Sequence, residues 1–79
     1  MRESPDVLDQ SRREARLSHG DLWLRYFELG GRRTPLEVEA YLYGALVPTT
    51  HDRDLVVGAL NERFSELGRG QPIPYSDGS

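Results

Sequence analysis

Cysteine is absent from this 79-residue chain, so disulfides and thiolate metal sites are excluded. Lysine is absent too: all ten basic residues are arginine. With plentiful Gly, Ala, Leu, Asp and Glu, this usage points to a GC-rich coding sequence. No apolar run approaches the ~20 residues of a membrane span. The opening MRESPDVLDQ lacks the apolar stretch of a signal peptide, and position 2 is not the glycine that myristoylation needs. These absences lead us to expect a soluble, cytoplasmic protein without a membrane partner. The net charge of −3 argues against simple electrostatic binding to nucleic acid.

A chain this short forms one small domain at most, and such domains are marginal unless something covers their apolar surface. The boundary signals predict an all-α fold of three helices. Ser18, with Asp21 three residues on, starts a helix over His19–Leu29 that stops at Gly30-Gly31. Thr34 and Glu37 form a capping box around Pro35, and that helix is expected to reach Val47, before Pro48. Thr49 or Thr50 caps a third helix that runs to Leu67 and stops at Gly68, with Asp52 and Asp54 in its first turn. Before these, Ser4-Pro5-Asp6 can start a fourth helix with a thin apolar stripe of Val7, Leu8, Ala15 and Leu17. After them, GRGQPIPYSDGS is expected to be extended or disordered. The expected organisation is therefore an N-terminal segment over 1–17, a helical domain over 18–67 and a tail over 68–79.

The stretch SHGDLWLRYFELGG carries more apolar surface than one side of a short helix needs. At 100° per residue its apolar arc covers about 220°, against the ~100° or slightly more of an ordinary surface helix. Trp23, Tyr26 and Phe27 fit a core reading, whereas Leu24 lies further round. The second helix has apolar residues on nearly opposite sides: Leu36, Ala40, Tyr43 and Val47 on one, Val38, Leu42, Ala45 and Leu46 on the other. Tyr41 falls between them. The third is ordinary, with Val56, Val57, Leu60, Phe64 and Leu67 inward and Asp54, Asn61, Glu62, Ser65 and Glu66 outward. A central position for the second helix, the N-terminal segment, or Ile73 and Tyr75 of the tail would absorb part of the surplus. What remains calls for a second molecule.

Chemistry-bearing patterns are weak. SHGD holds the residue types of a nucleophilic triad, but neighbours on one helical turn diverge, and capping explains Ser18 and Asp21. THDRD offers His51, Asp52 and Asp54 as metal ligands without a second cluster to complete a site. GGRR lacks the spacing of a phosphate loop. No cofactor and no metal are expected, and an enzyme is not the reading these residues favour.

Arg12, Arg13 and Arg16, with Arg53, are the candidate contacts of an alternative: a small DNA-binding regulator. Its helix-turn-helix would lie within AYLYGALVPTTHDRDLVV, where Ala40 and Gly44 have the spacing of a turn region. Asp52 and Asp54 at the start of its reading helix oppose that use. The favoured function is a non-enzymatic protein-interaction or regulatory module, self-associating or binding a partner protein. Its contact residues are expected to be Leu24, Tyr41, Leu42 and Tyr43, with Arg32 and Arg33 on the rim. Over Leu17–Leu67 the wording DLWLRYFELGG, TPLEVEAYLYGAL and ALNERF resembles small, uncharacterised helical proteins of high-GC actinobacteria. The resemblance implies a cytoplasmic bacterial protein and carries no functional residues with it.

Overall fold

The computed structural model describes residues 7–76, and within them the chain forms four helices and no strand. They are α1 (Val7–Glu14), α2 (His19–Glu28), α3 (Pro35–Tyr43) and α4 (Thr50–Glu66). The start signal expected at Ser4-Pro5-Asp6 lies outside the described residues.

Each of the last three helices begins where a side-chain oxygen meets an otherwise unpaired amide. Ser18 Oγ accepts from the Asp21 amide at 3.0 Å, and Thr49 Oγ1 accepts from the Asp52 amide at 3.1 Å. At α3 the exchange is reciprocal: the Glu37 amide donates to Thr34 Oγ1, and the Thr34 amide donates to Glu37 Oε1. Such caps contribute about 1 kcal/mol each.

One predicted end is corrected. α3 does not run to Val47; it stops at Tyr43, because Gly44 takes the left-handed conformation (φ 77°) and its amide returns to the carbonyl of Tyr41. A glycine cap acts before Pro48 can. The short α3 therefore leaves Ala45, Leu46 and Val47 in the connection to α4.

α2 packs against both α3 and α4, and α1 packs against the same two helices. α3 and α4 therefore each lie against both α1 and α2. Leu22 and Tyr26 of α2 meet Val38 and Leu42 of α3 and Val56, Ala59, Leu60 and Phe64 of α4 in one core. Ala15 and Leu17 are buried in that core, and Leu8 packs on its edge. The N-terminal segment is therefore part of the domain and supplies some of the cover the other helices need. Asp9 holds it in place. This buried carboxylate accepts from Arg12 Nε at 2.9 Å, and the same guanidinium donates to the Leu17 carbonyl at 2.8 Å.

Candidate functional site

Two features stand out: a buried carboxylate that fixes the α2–α3 link, and a solvent-exposed apolar strip on α2.

Asp52 lies in the first turn of α4, where the helix dipole favours an acid, and it is buried. Its Oδ1 accepts from the Tyr26 hydroxyl at 3.0 Å. Its Oδ2 accepts from Thr49 Oγ1 at 3.1 Å and Arg33 Nε at 3.3 Å, with the Tyr41 hydroxyl at a longer 3.5 Å. Burial by itself would raise this carboxyl, but the hydrogen bonds from Tyr26, Arg33 and Thr49 outweigh it and hold the group below the ordinary aspartate range. The same burial pushes both tyrosine hydroxyls up. The carboxylate's acceptor capacity is used within the chain, so this cluster works as a clamp.

The clamp grips the GGRR link. Tyr26's hydroxyl accepts the Arg33 amide at 3.0 Å while donating to Asp52. Trp23 Nε1 donates to the Arg33 carbonyl at 2.8 Å. Gly31 lies against the Tyr26 ring so closely that a Cβ there would fall 2.2 Å from the ring. The link is glycine-rich because the backbone must pass over a tyrosine. An open groove of about 650 Å³ beside it is lined by Gly30, Arg32, Arg33, Thr49, His51 and Asp52.

The apolar strip starts at Trp23, half-buried against the edge of the core, and continues onto the exposed surface of α2. Trp23 and Phe27 stack with ring centroids 5.1 Å apart, and Phe27 remains 54% exposed. Leu24 beside them is 52% exposed. On α3 and the loop after it, Leu36, Tyr43, Leu46 and Val47 are also exposed.

Set against these positions, the expected contact residues separate. Leu24 and Tyr43 are on the surface; Tyr43's hydroxyl meets His19 Nε2 at 3.0 Å. Arg32 and Arg33 are exposed, as expected of rim residues, although Arg33 also serves the clamp. Tyr41 and Leu42 are not surface residues. Both face the core, because α3 turns its Val38–Tyr41–Leu42 side inward and Asp52 accepts from the Tyr41 hydroxyl. Phe27 errs the other way: expected in the core, it is outside.

Of the alternative arginine set, Arg12 is folded back onto Asp9 and the Leu17 carbonyl. Arg13 lies 3.4 Å from the same carboxylate. Arg16 sits beyond α1 in the left-handed region (φ 60°), on a cleft shared with Arg13, Glu14, Leu67 and Arg69. Arg53 reaches the Pro74 carbonyl at 3.4 Å. Arg13 and Arg16 share that cleft, while Arg12 and Arg53 are engaged by other parts of the chain. α3 and α4 each pack on α1 and α2 and both contribute to the one core. Among the described residues no group of three His, Asp or Glu side chains is arranged to hold a metal ion, and no helix is long and apolar enough to cross a membrane.

No protein-family model, curated protein or solved structure matches this chain.

Proposed function

We propose that the protein is a small, non-enzymatic interaction module that self-associates through the outward strip of α2. One observation carries this reading: Leu24 and Phe27 are exposed on α2 beside Trp23, which is half-buried against the core and stacks on Phe27, so the three form an apolar, aromatic strip open to solvent. Surface aromatics with arginine nearby, as Arg32 is in the adjoining link, have the composition of interface hot spots. Covering even a few hundred Å² of apolar surface at ~25 cal/mol per Å² is worth several kcal/mol. That is a sizeable fraction of the ~5–15 kcal/mol that holds a typical domain together.

Rigidity supports the same reading. The Trp23 indole is fixed by its hydrogen bond to the Arg33 carbonyl, and the link carrying Arg32 is clamped by Tyr26 and Asp52. A pre-organised strip loses little side-chain freedom on binding. The lack of cysteine fits a reducing, cytoplasmic setting.

Sedimentation velocity across the micromolar range tests the proposal. Wild-type protein should shift from monomer to dimer with concentration, and the double variant Leu24→Arg, Phe27→Arg should remain monomeric with unchanged helicity. Concentration-independent monomers of both proteins would refute self-association.

A further inference from the structure

Residues Gly70–Ser76 lie along α4 as a non-helical segment that bends at Ile73, and α4 holds that segment mostly by its backbone. Asn61, buried in the middle of α4, makes a two-way contact: its Nδ2 donates to the Ile73 carbonyl at 2.8 Å and its Oδ1 accepts from the Ile73 amide at 3.1 Å. One turn later, Ser65 Oγ donates to the Gly70 carbonyl at 3.1 Å. Towards the other end, Asp54 Oδ1 accepts from the Ser76 amide at 2.9 Å, and Arg53 donates to the Pro74 carbonyl. Between them the Tyr75 hydroxyl lies beside Gly58, 3.6 Å from where a Cβ would stand.

Positions 54, 58, 61 and 65 fall within an arc of about 60° on α4. They meet Ser76, Tyr75, Ile73 and Gly70 in that order, so the segment runs antiparallel to the helix. The Ile73 side chain packs against the core, and a pocket of about 380 Å³ beside it is lined by Ser11, Glu14, Phe64, Arg69, Pro72 and Ile73.

We infer that this face of α4 is a peptide-recognition groove, filled here by the chain's own tail and open by exchange to a Pro-aliphatic-Pro segment of a partner protein. Three properties carry the inference. The contacts read the peptide backbone through a buried amide, so they do not demand this chain's exact side chains. A single apolar side chain, Ile73, packs against the core between two prolines, whose fixed φ lowers the entropy lost on ordering the segment. Gly68 and Gly70, both in left-handed conformations, turn the chain back along α4, so a short connection tethers the tail beside its groove. The groove is on α4, apart from the Trp23–Phe27 strip, so the inference does not depend on self-association.

A labelled peptide of sequence QPIPYS, added to full-length protein, tests it by fluorescence anisotropy. Binding to wild type should be weak, because the tethered tail competes at an effective concentration in the millimolar range. Ile73→Asp in the full chain should release the tail and tighten peptide binding about tenfold or more. Adding Asn61→Leu should abolish binding, and a scrambled peptide should not bind. Equal binding to wild type and Ile73→Asp, or none to a helical Ile73→Asp protein, would overturn the proposal. Should Ile73→Asp lose its helical signal, hydrogen exchange on wild type decides. The Ile73 amide should exchange far faster than that of Leu60, and equal rates would mean the tail opens only when the whole domain unfolds.

Discussion

The Tyr26 hydroxyl donates to Asp52 at 3.0 Å and accepts the Arg33 amide at the same distance, so one phenol joins α2, the GGRR link and α4. Removing the carboxylate leaves Tyr26, Thr49 and Arg33 without their common acceptor. Asp52→Ala should therefore destabilise the domain by about 3 kcal/mol, lowering Tm by on the order of 10 °C. Asp52→Asn, which retains one carbonyl acceptor, should cost less. Urea and thermal unfolding followed by circular dichroism measure both.

Acid should weaken the same clamp. Asp52 sits below the ordinary aspartate range when folded, so its contribution is complete above the unfolded value of ~3.9 and is lost as pH falls through the lower folded one. The stability gap between wild type and Asp52→Asn should be constant near neutrality and close as the pH drops below about 4. Unfolding curves at stepped pH give the gap directly. A gap independent of pH would remove the ionised carboxylate from the account.

Glycines separate into two kinds. At Gly31, a Cβ would collide with the Tyr26 ring, so Gly31→Ala should cost about 2 kcal/mol or more. At Gly68, nothing lies near the missing Cβ and only the backbone (φ 78°) resists, so Gly68→Ala should cost about 1 kcal/mol. Near-equal losses would show that the close approach of Gly31 to Tyr26 is relieved by small movements.

The local signals of the fold were legible, and the long-range ones were not. Ser18, Thr34 with Glu37, and Thr49 announce helix starts because a cap and its amide partner lie three residues apart. The face that α3 buries was hidden, because apolar residues surround that helix and periodicity gives no preferred side. Tyr41 and Leu42 were therefore placed outside when they are inside. Asn61 reads as an outward helix residue and Asp52 only as a first-turn acid, since their partners lie 12 and 26 positions away. A carboxylate and an amide show their burial only when the chain has closed around them. Of the expected contact residues, Leu24, Tyr43, Arg32 and Arg33 are exposed, and so is Phe27, because α2 buries the Leu22–Tyr26 side.

The most direct test of the α2 strip as an interface uses the single tryptophan, which lies within it. Trp23 emission should move to shorter wavelength as wild-type protein is concentrated from nanomolar to high micromolar levels, because association removes water from the Trp23–Phe27 stack. Leu24→Arg should abolish that shift while leaving the dilute spectrum and the helicity unchanged. An emission maximum that stays fixed over the whole range in wild-type protein would contradict the account.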